Sequence, residues 1–209
     1  MSTPDYLKPY EAAVKEFGGT FSATLWHSEK GQQLRFNTLV SLVNFANMKI
    51  LDIGCGTGDF SAFLISNKIH FELFHGIDAM SAMIQTAKNR QLKRSKFTTL
   101  DVFENIDLLQ GYDWITMSGT LNAMSQKKAL QLIDWAFEAS SNGVAFNFLS
   151  DQCNRAKSNE DLTPASRFDT LSILKYALQK TSIVSFDQSY LNGHDATIVM
   201  RKTYQSTIE

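Results

Sequence analysis

The chain has little of what would mark a secreted, fibrous, disordered or membrane-spanning protein. Only two of its 209 residues are cysteine, too few for the disulfide framework of a small extracellular scaffold. Cys55 and Cys153 are therefore expected to be free thiols in a reducing compartment. Three prolines and 11 glycines exclude collagen-like and low-complexity chains. No window approaches the ~18 uncharged apolar residues of a membrane span, and the polar start Met1-Ser2-Thr3-Pro4-Asp5 lacks the charged-then-apolar run of a signal peptide. A soluble protein of the cytoplasm is the expectation. A surplus of one charge is missing as well: 20 basic residues face 21 acidic ones, so no global field draws in nucleic acid or an anionic membrane. What the chain does have is an ordinary apolar share, 44%, in a length that suits one domain with a short extension.

The periodicity of the apolar residues divides the chain. Thr3–Phe17 reads as a helix with Pro4 at its first position and Gly18-Gly19 as its stop. Residues 20–27 read as a loop, and Ser28 then caps a second helix reaching about Asn44. From Lys49 onward short apolar runs alternate with helical segments. Strands are expected at Lys49–Ile53, Phe71–Ile77, Phe97–Leu100, Tyr112–Met117 and Val144–Leu149, and helices near Asp59–Ser66, Ser81–Arg90 and Ser125–Ser140. Such alternation predicts βαβ units, a parallel sheet and helices on both faces. After a helix at Phe168–Lys180, Ser182–Tyr190 and His194–Arg201 flank Asn192-Gly193, a two-residue hairpin signal. The predicted fold is a Rossmann-like, doubly wound α/β sheet of seven strands, mostly parallel, closed by an antiparallel hairpin. Residues 1–46 are expected to be a helical extension or lid, and 47–209 the main domain.

The sharpest motif is Leu51-Asp52-Ile53-Gly54-Cys55-Gly56-Thr57-Gly58-Asp59, where a strand enters three alternating glycines and then a helix. Glycines there let the backbone turn tightly and approach a ligand. The phosphate-cradling GxxxxGK pattern is absent, and the spacing is GxGxG rather than the dinucleotide GxGxxG, with Asp59 at the late glycine's place. Asp52 and Asp59 would repel pyrophosphate and suit a cationic ligand. S-adenosylmethionine carries a sulfonium and an ammonium group and no phosphate. Asp78 ends the second apolar run, where an acid accepts both ribose hydroxyls. Asp101 ends the third, where it accepts the adenine amino group while the Val102 N–H reaches a ring nitrogen. Taken singly, each acid is equally a helix cap or a loop residue, whereas their succession along one sheet edge marks a ligand site.

These segments, with Tyr112-Asp113 opening the fourth strand, make Met48–Arg201 resemble the catalytic domain of class I S-adenosylmethionine-dependent methyltransferases. That resemblance implies an enzyme with S-adenosylmethionine as cofactor. It places Gly54, Cys55, Gly56 and Gly58 under the methionine part, Asp78 on the ribose, Ala79 and Met80 beside the adenine, and Asp101 and Val102 at its edge. The Trp26-His27-Ser28, Ser118-Gly119-Thr120-Leu121-Asn122 and Ala145–Ser150 segments resemble a bacterial branch of the family that supplies no acceptor by analogy.

Methyl transfer is a displacement at an already electrophilic carbon, so alignment and exclusion of water do much of the work and a base is optional. No Ser/His/Asp constellation or metal-spaced cluster stands out. His27 is the one histidine considered as a base, against its reading as a surface loop residue. Arg35 is expected to fork onto the methionine carboxylate, or else to be a solvated helix arginine. Trp26 is expected over the methyl-transfer chamber, or in the core. Ser118 to Asn122 follow the fourth strand, where the methyl should lie, and Asn122 is a candidate to orient an acceptor. The Asn/Asp-Pro-Pro-aromatic signature of adenine N-methylases is absent. The basic run Lys88, Arg90, Lys93, Arg94 and Lys96 reads as a helix C-terminus and solvated loop rather than a nucleic-acid patch. The expected acceptor is a small molecule, with nucleic acid and membrane disfavoured. RNA or protein methylation, and cofactor binding without catalysis, stay open.

Overall fold

The computed structural model describes residues 3–153 and 162–203. The outer ends of the two expected units, residues 1–2 and 204–209, lie outside them. Among the described residues no helix is long and apolar enough to cross a membrane.

Seven strands form one sheet: β1 (Lys49–Ile53), β2 (Leu73–Asp78), β3 (Ser95–Thr99), β4 (Trp114–Met117), β5 (Gly143–Leu149), β6 (Ile183–Asp187) and β7 (Asp195–Arg201). Their order is β3-β2-β1-β4-β5-β7-β6. The first five are parallel, and β7 enters antiparallel between β5 and β6. Among the described residues six helices cover the faces: α1 (Lys8–Phe17), α2 (Glu29–Leu42), α3 (Asp59–Ser66), α4 (Ser81–Asn89), α5 (Gln126–Ala139) and α6 (Thr170–Lys180). β4 and β5 are buried along their whole length, as continuous apolar runs require when helices cover both faces. The chain winds outward from β1 in both directions, so the strand order reverses between β1 and β4. In open α/β sheets ligands bind at that switch point, outside the carboxyl ends of the strands.

Two apolar cores lie on opposite faces, one built around Met117, Ile133, Phe146 and Phe148 and the other around Phe36, Phe60, Phe74 and Trp114. α2 belongs to the second: Phe36 and Leu39 are essentially fully buried, which at ~1.5–3 kcal/mol each anchors the helix by about 3–6 kcal/mol. Its start is fixed as expected, the Ser28 hydroxyl accepting the Gly31 N–H at 3.1 Å. The segment before it is held more lightly. α1 and the 3₁₀ turn Phe21–Thr24 close over a small cluster of Ala13, Ala23, Met80 and Met83.

Several boundaries differ from expectation. The first helix starts at Lys8, with Pro9 rather than Pro4 in its opening turn. Pro4 instead closes a turn through its carbonyl, which accepts the Leu7 N–H at 2.9 Å. Asn192-Gly193 does not make a two-residue hairpin. β6 ends at Asp187 and β7 begins at Asp195, and Leu191, Asn192 and Gly193 all take positive φ within a wider loop. The Gln188 amide donates across that loop to the Gly193 carbonyl at 2.9 Å. The stretch between β3 and β4 folds as two 3₁₀ turns, Val102–Glu104 and Ile106–Leu109.

Candidate active site

The glycine loop leaves β1 with Gly54, Gly56 and Gly58 at φ of 71°, 53° and 79°, values that side chains of L residues rarely adopt. A Cβ on Gly54 would lie 2.6 Å from the Thr120 hydroxyl, so the loop is locked against the turn after β4. A Cβ on Gly56 would find only Thr24, at 3.7 Å; there the bare backbone faces open space. The cavity it faces spans about 960 Å³, open mouth included.

Among the described residues four carboxylates line this cleft, Asp52, Asp59, Asp78 and Asp101, and no lysine, arginine or histidine does. Asp78 braces the loop: its Oδ2 accepts the Gly56 N–H at 2.9 Å and its Oδ1 the Met80 N–H at 2.8 Å. An ionised carboxylate has about four lone-pair sites, so each oxygen keeps room for a ligand hydroxyl. Burial raises the Asp78 carboxyl, against those two N–H bonds, which lower it. Asp52 is almost completely buried and accepts the Thr116 hydroxyl at 2.7 Å. Burial pushes its carboxyl up to about 7, the Thr116 bond opposing and the nearby Asp78 and Asp59 charges adding to the rise. The donor set repels phosphate and attracts positive charge, which fits a sulfonium nucleoside and not a dinucleotide.

The N-terminal segment roofs the cleft. The Tyr6 hydroxyl donates to Asp101 Oδ2 at 2.5 Å, and its ring packs edge-on to Phe103 at 5.4 Å. The other Asp101 oxygen accepts the Phe103 N–H at 3.0 Å. Lys128 lies over both rings. Tyr10, Thr24 and Trp26 line the same roof, and Trp26 packs onto the turn after β4, where a Cβ on Gly119 would strike its ring at 2.4 Å. That turn is aimed by a wholly buried Asn147 on β5, which accepts the Gly119 N–H and donates to the Ser118 hydroxyl, both at 2.9 Å.

Beyond Trp26 and Gly119 a second chamber, about 1600 Å³ with its opening, continues along the sheet edge. Asn122, Arg35, His27 and His194 line it, together with apolar and hydroxyl-bearing residues, and among the described residues no carboxylate does.

The structure gathers Asp52, Gly54, Cys55, Gly56, Asp78, Ala79, Met80, Asp101, Val102, Ser118 and Trp26 around one cleft. Gly58 stands behind it, wedged against the Phe97 ring. Burial and the neighbouring acids push the Cys55 thiol up, and both cysteines are free. Arg35 is corrected: its fork closes on Asp195 from β7, Nε to Oδ2 at 2.5 Å and Nη2 to Oδ1 at 2.8 Å. The Trp26 ring stacks 4.4 Å from its guanidinium carbon. A buried charge needs a fixed counter-charge, and Asp195, wholly buried, supplies it. His27 and Asn122 fall in the second chamber instead of the cleft, His27 exposed and Asn122 buried with its Oδ1 accepting the Leu149 N–H at 3.0 Å. Of the basic run, Arg90 pairs with Asp59 at 2.5 Å and Arg94 donates to the Phe71 carbonyl. Sequence reasoning did not find Tyr6, Tyr10, Asn147 or His194. The signal for His194 was present: it opens a strand that runs antiparallel, so it sits at the ligand edge.

A family model described as a methyltransferase domain matches residues 44–144. No curated protein matches the chain. Among solved structures, the complex titled DhpI-SAM-HEP superposes with a TM-score of 0.69 at 14% identity, covering 97% of this chain and 100% of that one. Magnesium protoporphyrin IX methyltransferase from Synechocystis PCC 6803, with bound SAH, gives 0.65 at 15% identity, covering 94% of each chain. The methyltransferase domain of bacterial CtHen1 gives 0.63 at 21% identity, covering 81% of this chain and 98% of that one. Residues 44–144 thus carry the match to a methyltransferase domain, and the fold of the chain is the one shared by these S-adenosylmethionine-dependent methyltransferase structures. The domain match supports methyltransferase activity, and the neighbours solved with SAM or SAH are consistent with S-adenosylmethionine as the cofactor.

Proposed function

We propose that the protein transfers the methyl group to a small-molecule acceptor held in the chamber beyond Trp26. The observation that carries this is the pairing of two adjoining cavities, an acid-lined cleft for a cationic nucleoside and next to it a chamber whose described lining holds no carboxylate. Bound in the cleft, S-adenosylmethionine supplies an electrophilic methyl carbon. In this assignment Gly54, Cys55, Gly56 and Gly58 form the floor under the methionine part, and Asp52 faces its charge. Asp78 holds the ribose, Ala79 and Met80 flank the adenine, and Asp101 with Val102 meets its edge. Ser118, fixed by Asn147, bounds the point where the methyl emerges, and Asn122 orients the acceptor. Within the 1–46 extension, residues 3–27 act as the lid, since α2 is part of the core. The free thiols of Cys55 and Cys153 fit a reducing compartment such as the cytoplasm.

Hen1 structures are among the neighbours, one of them titled a small RNA methyltransferase, so RNA is the acceptor to test against. The tethering of Arg90 and Arg94 within the fold leaves the basic run poorly suited to a nucleic-acid backbone. Calorimetric titration should show S-adenosylmethionine binding and nicotinamide dinucleotide not binding. Labelled methyl donor and cell extract, split into small-molecule, RNA and protein fractions, should put the label in the first. Label confined to RNA or protein would remove the small-molecule assignment.

A further inference from the structure

The chamber holds a titratable pair that the cofactor cleft does not use. β7 runs antiparallel to β5 with Asp195 opposite Leu149, so its first residues reach the sheet edge where the parallel strands end. His194 stands there on the chamber wall, its carbonyl fixed by the Ser150 N–H at 3.0 Å. Its Nδ1 lies 2.7 Å from Asp195 Oδ1. An ionised carboxylate only accepts, so Nδ1 carries the proton and Nε2 of the neutral ring is left as an acceptor. Nε2 has no hydrogen-bond partner among the described residues. Behind the pair, the Arg35 fork holds Asp195 in place. A histidine on a cavity wall, oriented by a buried carboxylate and with its second nitrogen unbonded among the described residues, is the arrangement of a general base.

The chamber also limits what that base acts on. Among the described residues an ammonium acceptor would find no carboxylate on the wall. A carboxylate acceptor would need no base. The remaining wall is largely apolar, with Leu25, Leu149, Leu162, Pro164 and Leu191, while Asn122, its Oδ1 tied to the Leu149 N–H, keeps its NH₂ to donate.

We infer that His194 is the general base for methylation of a weakly acidic hydroxyl, of the phenol or enol class, on a largely apolar small molecule. This deepens the methyl-transfer function proposed above and rests on it. The acceptor oxygen bonds to the methyl carbon as its O–H bond breaks, and the proton passes to Nε2. The electron pair of the broken carbon–sulfur bond stays on sulfur, which goes from sulfonium to neutral thioether. The imidazolium is stabilised by Asp195 and releases its proton to water. Around the ring the charged and titratable groups are Asp195, Arg35 and Tyr190, His27 and Tyr10 on the chamber wall, and Arg167, which donates to the His194 carbonyl at 3.2 Å.

The test uses para-nitrophenol as probe on the full chain saturated with S-adenosylhomocysteine. In the native protein the bound probe should absorb as phenolate below its solution titration range. His194→Gln should bind the nucleoside with unchanged affinity by calorimetry and lose that absorbance. With S-adenosylmethionine, conversion of the probe to its methyl ether should fall about 100-fold in His194→Gln, and added imidazole should partly restore it in His194→Gly. Equal phenolate absorbance or equal turnover in native and His194→Gln proteins would overturn the base. Nucleoside binding without probe binding would overturn the acceptor class. Failure to bind either nucleoside would instead remove the methyl-transfer function, and this inference with it.

Discussion

The two cavities at the sheet edge are built by the same fold from opposite materials. The cleft over β1, β2 and β3 takes its character from backbone and carboxylates: bare glycines, and acids at successive strand ends. The chamber beside β4, β5 and β7 takes its character from side chains that come from far apart in the sequence, with Arg35 meeting Asp195, Asn122 holding Leu149, and Asn147 aiming Ser118 and Gly119. The first kind of site is written locally, strand by strand. The second exists only once β7 has been inserted against β5. A family can therefore keep one cleft and vary the other.

The sharpest way to separate the two is to break the pair under the chamber. Asp195→Ala should leave Arg35 charged and buried without its partner, at a cost of about 3–5 kcal/mol in unfolding free energy. Urea denaturation measures that loss, and the protein that remains folded should bind S-adenosylmethionine normally. A loss of cofactor affinity equal to that of a cleft variant would dissolve the distinction.

The cleft has its own pH signature. Asp52 has its carboxyl raised to about 7 in the folded chain, against ~3.9 unfolded. Between those values the folded state holds a proton that the unfolded state has lost, so stability falls as pH rises through that window. The span of about three units corresponds to at most roughly 4 kcal/mol. Thermal melts from pH 4 to pH 8 should show this decline, and Asp52→Asn should flatten it. A cationic ligand lowers the same carboxyl, so binding near pH 6 should release protons, detected by calorimetry in buffers of different ionisation enthalpy.

Asp78→Ala removes a carboxylate that holds two loop N–H groups, and with them its ribose contacts. At ~1.5–3 kcal/mol for a hydrogen bond to a charged group, affinity for S-adenosylmethionine should fall about 100-fold by calorimetry. Unchanged binding would withdraw the ribose assignment. The smallest effect is expected at the lid. Tyr6→Phe keeps the packing on Phe103 and removes only the bond to Asp101, worth ~1 kcal/mol net. Stopped-flow release of S-adenosylhomocysteine should quicken about fivefold, with stability almost unchanged.

The contrast also explains what was legible beforehand. The strands near the glycine loop could be read because an apolar run, a turn and an acid recur within a few residues of one another. Asp52, Asp78 and Asp101 were placed correctly around a common cleft for that reason. Arg35 was aimed at the wrong partner, since nothing near residue 35 announces a carboxylate 160 residues away. Asn192-Gly193 marked the reversal between β6 and β7 but not the loop length, which is set by Gln188 and Tyr190 bonding across it. A lid was expected from residues 1–46, but its contacts through Tyr6 and Tyr10 were not, because these have the spacing of an ordinary amphipathic helix and only tertiary placement turns that face toward Asp101.

The indole of Trp26 belongs to both cavities. Whatever fills either space presses on one ring, wedged between Gly119 and the Arg35 guanidinium. If donor and acceptor fill these two spaces as proposed, they meet at this ring, and any coupling between them must be reciprocal, each shifting the other's affinity by the same factor. Emission from this tryptophan would report that coupling directly, as a wall common to two rooms transmits a knock from either side.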